Sequence, residues 1–235
     1  MNKLIKLNNK SKKLLLLQRN ELLTKRQNWL RKNFGRLIFT NFFVNYFQIK
    51  NIEKITDELF NKEFETFKNY LPKFAGNIMD IGCGLGIIDI YLNEFFEKKP
   101  VFFLLDKNRV DRKIKYGFSS NYESYNDLKE TKNILLNNNI DSSCINLFDV
   151  EKQFLITKKM DLVISLKSMG YHYPINTYIE LFRNCCTKNT VFIYDIGENQ
   201  YDENYLKTIF DDIKIIYEEN TNNVLKRVCC KNFKI

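Results

Sequence analysis

Apolar positions along the chain change rhythm at Gly76. Before it they recur at helical spacing. Leu15, Leu22 and Trp29 are seven apart, and so are Leu16, Leu23 and Leu30. Two adjacent stripes of this kind predict an amphipathic helix over residues 14–32. The next stretch, 34–47, is aromatic-rich, with Phe34, Phe39, Phe42, Phe43, Tyr46 and Phe47. It reads as buried helix or as a lid over a pocket. Ile52, Ile55, Leu59, Phe60, Phe64, Phe67 and Leu71 predict a further helix over 51–71, ended by Pro72 and Gly76.

After Gly76, short apolar runs alternate with amphipathic stretches. Strands are predicted over 77–81, 101–105, 143–147, 161–165 and 190–195. Helices are predicted over 87–96, 126–138, 176–186 and 203–210. The run at 101–105 is wholly apolar, as a strand covered on both faces requires. Two last strands, 213–218 and 224–231, are joined by an Asn-containing connector that suits a hairpin. Strand–helix alternation predicts an α/β fold with a doubly wound, mostly parallel sheet of seven strands. The hairpin adds one antiparallel strand at the C-terminal end. Two units are expected: a helical N-terminal extension over 1–50 and the α/β domain over 51–235.

Composition narrows the class. In 235 residues, 44% hydrophobic and 14% aromatic, there is enough apolar material for a core. Eight Gly and three Pro exclude collagen-like and low-complexity architectures. The longest aliphatic or aromatic run is 101–105, against the roughly 20 residues of a membrane span. The run 14–17 is too short for a secretory core segment, so no leader is expected. Six cysteines, four of them in adjacent pairs, make a poor disulfide framework and read as reduced cytoplasmic thiols. A single histidine builds no His-rich metal site, and no metal is expected.

Charge is uneven. Residues 1–36 hold eleven Lys/Arg and one acid, Glu21, whereas the remainder is close to neutral. Such asymmetry points to RNA, an anionic lipid surface or a phosphorylated partner, or else to a solvated tail. For the apolar stripe within it, docking onto the chain's own domain is expected ahead of membrane binding.

The chemistry sits after the first strand. Asn77-Ile-Met-Asp80-Ile81-Gly82-Cys83-Gly84-Leu-Gly86 leads an apolar strand into a turn with glycine at every second position. Such a turn lets backbone approach a ligand closely. A dinucleotide-binding G-x-G-x-x-G would need glycine at position 87, which is Ile87. The pattern D-x-G-x-G-x-G instead resembles motif I of the class I S-adenosylmethionine-dependent methyltransferases. Asp106 ends the second strand, where the family's acid accepts hydrogen bonds from both ribose hydroxyls. Phe148-Asp149-Val150 matches the family's adenine-contacting position, and Met160–Ser165 its fourth strand, which ends beside the transferred methyl group. The resemblance spans about residues 51–235. It implies S-adenosyl-L-methionine as cofactor, held by Asp80, Ile81, Gly82, Cys83, Gly84, Gly86, Asp106, Lys107, Asp149, Val150, Ser165 and Leu166.

The segment after the fourth strand, Leu166-Lys-Ser-Met-Gly-Tyr171-His172-Tyr173-Pro174, carries the only histidine. His172 is the candidate general base, since its ordinary pKa lies near neutrality. Tyr171 and Tyr173 are candidates for shaping an acceptor pocket. The prolines found here in many nucleic-acid amino-methyltransferases are missing, and so is the Lys-Asp-Lys-Glu tetrad of ribose methylation. Asp195 is expected in a strand-end turn. The expectation is an enzyme that methylates an oxygen or nitrogen of a small hydroxylated molecule. RNA methylation using the basic arm, and a non-catalytic binding module, are the alternatives.

Overall fold

The computed structural model describes residues 5–46, 52–110, 125–219 and 225–234. Helices α1 (Asn9–Gln18), α2 (Lys25–Phe34), α3 (Arg36–Tyr46) and α4 (Ile52–Glu65) precede the sheet. Strand β1 (Asn77–Ile81) leads through the glycine turn into α5 (Ile87–Phe95). Then follow β2 (Val101–Asp106), α6 (Leu128–Asn137), β3 (Ile145–Asp149), β4 (Leu162–Ser165), α7 (Ile179–Cys185), β5 (Val191–Gly197), α8 (Glu203–Ile209), β6 (Phe210–Glu219) and β7 (Leu225–Phe233). The predicted connector at 219–223 and the aromatic Phe47 lie, but for Glu219, outside the described residues.

The seven strands form one sheet in the order β3-β2-β1-β4-β5-β7-β6. Strands β1 to β5 pair in parallel, and β7 runs antiparallel between β5 and β6. Side chains alternate between two apolar layers, as a period of two demands. Ile78, Phe102, Leu104, Leu162, Ile164 and Ile193 face one layer with α4, α5, α6 and the N-terminal helices. Met79, Ile81, Phe103, Leu105, Val163, Phe192 and Tyr194 face the other, with Phe182 of α7 and Leu206 and Ile209 of α8. The strand order reverses at β1, between β2 and β4. A crevice at the carboxyl ends of the strands is expected at such a switch point.

The helix predicted over 14–32 is broken in two. Helix α1 stops at Gln18, a 3₁₀ turn spans Asn20–Leu22, and α2 restarts with a capping box in which Thr24 and Gln27 satisfy each other's backbone donors. The stripe therefore does not continue: Leu15, Leu16, Leu22 and Leu23 are buried, while Trp29 is exposed. Leu14, Leu15 and Leu16 pack into the same apolar layer as α5 and α6, each contributing about 1.5–3 kcal/mol by burial. Polar contacts add to the docking. Ser11 and Asn8 reach Glu130 of α6 at 2.5 and 2.6 Å, and Lys10 pairs with Asp127 at 2.5 Å. The third strand starts two residues later than predicted, because Asp141 caps a 3₁₀ turn over Ser142–Cys144. Strand β5 likewise runs two residues past Asp195. Among the described residues no helix is long and apolar enough to cross a membrane.

Candidate functional site

A cavity of about 810 Å³ opens at the carboxyl ends of β1, β2 and β4. Its floor is the glycine turn. Gly82 and Gly84 adopt φ of +76° and +53°, a region L side chains rarely enter. A Cβ on Gly82 would lie 2.1 Å from Ser168 Oγ, so only glycine lets the segment after β4 pack there. The Gly82 and Cys83 N–H groups both donate to Leu105 O, at 2.7 and 3.2 Å, tying the turn to the end of β2.

Asp106 stands at that end. Its Oδ2 accepts from Gly84 N–H and its Oδ1 from Lys107 N–H, each at 2.7 Å. Burial pushes the carboxyl up to about 6, against the pull of those two donors and of the Asn126 amide beside it. Asn126 is itself buried on the cavity wall. Beneath the turn, Asp80 of β1 and Asp89 of α5 are buried together. Burial and the neighbouring Asp89 raise Asp80 well above the usual carboxylate range. Burial raises Asp89 to about 7.

The N-terminal segment supplies the facing wall. Gln18 Oε1 lies 3.0 Å from where a Gly84 Cβ would be, and Gln18 Nε2 donates to Tyr125 O at 2.9 Å. Arg19, Asn20, Glu21 and Arg36 continue the wall. Arg19 is anchored by Glu63 of α4 at 3.1 Å. Glu63 also meets Arg227 of β7, which clamps Asp195 through Nε at 2.7 Å and Nη2 at 2.9 Å. Burial opposes the charge on Glu63, but Arg19, Arg227 and Lys167 hold its carboxyl below the ordinary value. Asp195 is therefore a buried structural acid and not a turn residue. Its Oδ2 also accepts Lys167 N–H at 3.0 Å, fixing a residue held at φ +58°. The Lys167 side chain returns to Glu21 at 2.6 Å.

Loop 166–173 closes the far side. His172 N–H donates to Ser168 O at 2.8 Å, and the imidazole meets the Tyr171 ring edge-on. His172 stands at the cavity rim, where partial enclosure lowers its pKa below 6.5. Lys107 Nζ sits 5.2 Å from the centre of the Tyr173 ring.

The structure brings Asp80, Ile81, Gly82, Cys83, Gly84, Asp106, Lys107, Val150, Leu166 and His172 together on this cavity, with Tyr171 and Tyr173. Three expected residues stand off its wall. Gly86 ends the turn as the cap of α5, packed toward Thr131 and Leu135 of α6. The Asp149 carboxylate turns to its own following turn, accepting Glu151 N–H at 3.1 Å and pairing with Lys152 at 3.4 Å. Ser165 is fully buried and bridges two segments: it donates to Ile81 O at 2.7 Å and accepts Met169 N–H at 2.9 Å. Sequence reasoning missed Gln18, Arg36, Tyr125 and Asn126 on the wall. They precede or follow the motifs and share no spacing with them.

No family model and no curated protein matches the chain. Solved structures resemble it. A candidate O-methyltransferase from Nostoc punctiforme is 9% identical, over 75% of this chain and 57% of that one, with a TM-score of 0.50. A ribosomal protein L11 methylase from Lactobacillus delbrueckii subsp. bulgaricus is 14% identical, over 72% and 76% of the two chains, with a TM-score of 0.48. A B. subtilis tRNA methyltransferase is 17% identical, over 72% and 65%, with a TM-score of 0.47. The strand order, the antiparallel β7 and the glycine turn after β1 belong to one architecture: the chain has the Rossmann-like class I methyltransferase fold.

Proposed function

We propose that the protein is an S-adenosyl-L-methionine-dependent methyltransferase acting on an oxygen or nitrogen of a small hydroxylated molecule. The observation that carries this is the pairing of Asp106 with the glycine turn on one cavity wall. The residues fit an adenosine-bearing cofactor. A cavity of about 810 Å³ falls within the range of small-molecule sites. Asp106 offers two acceptor oxygens to a ribose diol, and the buried Asn126 amide stands beside it on the same wall. Val150, rather than the Asp149 carboxylate, lines the cavity beyond Asp106, and its N–H donates to Asp106 O at 3.1 Å. Asp80, Ile81, Cys83, Gly86, Lys107, Ser165 and Leu166 shape or support the same wall.

The cofactor's sulfonium supplies an electrophilic methyl group when bound. The chain's own part is orientation and proton transfer. Glycine backbone at 82 and 84 lets the ligand lie against the turn. Tyr171 and Tyr173 flank the acceptor side of the loop. His172, kept neutral at pH 7 by its lowered pKa, takes the acceptor's proton at its unprotonated ring nitrogen. Part of the basic arm is taken up within the fold, where Lys10, Lys12 and Arg19 pair with Asp127, Glu53 and Glu63. Six free thiols accord with a cytoplasmic setting.

Calorimetric titration with S-adenosylhomocysteine, with NAD as control, tests the cofactor. Binding that weakens about tenfold or more in Asp106→Ala is expected, since two charge-assisted hydrogen bonds go. Folded protein that does not bind S-adenosylhomocysteine would overturn the proposal. Methyl transfer to hydroxylated metabolites, with bulk RNA as the second arm, then tests the acceptor.

A further inference from the structure

The arm's outward face is spent neither on the cavity nor on the core. Helices α2 and α3 turn Phe39, Thr40 and Val44 inward, and Arg31 is buried against Leu16 O. On the other side Trp29, Phe34, Ile38 and Phe42 are 63%, 61%, 70% and 53% exposed. Ile38 and Phe42 lie one turn apart on α3, so they share a face. Trp29 and Phe34 belong to the adjoining α2. Exposed Lys25, Arg26 and Lys32 stand on the same helix. No acid occurs between Glu21 and Glu53.

We propose that this face of α2 and α3 docks the protein on an anionic phospholipid surface. The chemistry selects that occupant. Trp and Phe suit the headgroup boundary, Ile38 suits the acyl region, and the acid-free, cationic helix α2 matches negative headgroups. A second copy would bring two cationic faces together. RNA would use the aromatic rings for stacking but gains nothing from Ile38, the most exposed apolar residue of the set. The proposal stands apart from the methyltransferase reading, because lipid binding is read without cofactor.

The full chain is mixed with sedimentable vesicles of phosphatidylcholine and phosphatidylserine, about three to one. Three cations near the surface predict about ten- to hundredfold tighter partition than onto phosphatidylcholine alone, weakening with salt. Trp29→Ala with Ile38→Ala lowers partition about tenfold through lost apolar burial. Lys25→Gln with Arg26→Gln and Lys32→Gln abolishes the preference for phosphatidylserine. Thermal unfolding of both variants checks that they fold as the parent does. Three results would overturn the proposal. One is folded parent protein that ignores the vesicles. A second is vesicle binding untouched by both variants. The third is RNA binding or self-association, but not lipid binding, that depends on Trp29 and Ile38.

Discussion

Replacing Asp89 by Asn changes how stability depends on pH, and its size follows from the burial of one carboxyl pair. Asp89 is fully buried in the first turns of α5, with the carboxyl of buried Asp80 as its hydrogen-bonding neighbour. Its carboxyl is raised from 3.8 to about 7. The folded state therefore keeps a proton that the unfolded chain releases. Stabilisation from that proton is complete below the unfolded pKa and is lost as pH rises through 7. Integrated from pH 5 to pH 8, a rise of this size removes about 2–3 kcal/mol. For a chain of this length that is a fall in Tm of about 5–10 °C. Asn has nearly the same shape and does not titrate, so Asp89→Asn sheds this loss. At pH 8 the variant is the more stable protein, and its advantage there exceeds its advantage at pH 5 by about 2–3 kcal/mol. Thermal unfolding of both proteins at pH 5, 6, 7 and 8 measures it. Groups elsewhere are common to both, and Asp89 contributes to the rise of Asp80, so the difference between the two curves reports the buried pair. Parallel curves would show that Asp89 does not titrate in this range and would refute the reasoning.

Arg227→Ala leaves Asp195 as an uncompensated buried charge, with Glu63 still held by Arg19, and costs about 3–5 kcal/mol in urea unfolding; a loss below about 1 kcal/mol would mean the network is solvated. Gly82→Ala forces an L side chain to φ +76° against Ser168, adding about 1–3 kcal/mol of strain. Its Tm and S-adenosylhomocysteine affinity both fall, and an unchanged affinity would move the ligand away from this turn. His172→Asn lowers kcat by about 10²–10⁴ with cofactor affinity unchanged. The parent rate, measured with an identified acceptor, climbs with pH only below 6.5, the ordinary value beneath which His172 is shifted; a parent profile that continues to climb well above it would exclude His172 as the base.

The parts legible in the sequence are those whose cause is local. A five-residue, Val- and Phe-containing apolar run at 101–105 is short enough to favour a strand covered on both faces, and glycine at 82, 84 and 86 favours a turn. Asp106 was legible because a carboxylate ends that run. The break between α1 and α2 was also written locally, as Thr24 and Gln27 three residues apart, but the heptad spacing of Leu15, Leu22 and Trp29 outweighed it. The spacing was a coincidence of two separate helices. Exposed Trp29 marks where it fails.

What was illegible depends on contacts between distant residues. Asp195 reads as a turn acid from its neighbours alone. Its burial makes sense only through Arg227, 32 residues on, and Arg227 through Glu63, 164 residues before it. No local pattern forecasts such pairing, because each member is an ordinary charged residue until the sheet brings them together. The same network gives the arm its place at the site. Arg19 holds to Glu63, Glu63 to Arg227, Arg227 to Asp195, and Asp195 to the Lys167 backbone of the loop that carries His172. Lys167 then reaches back to Glu21 and closes the circuit. The N-terminal segment and the loop after β4 are thus tied together by a chain of ion pairs, buried at Arg227 and Asp195 and partly exposed at Lys167 and Glu21, and the cavity wall is built from both.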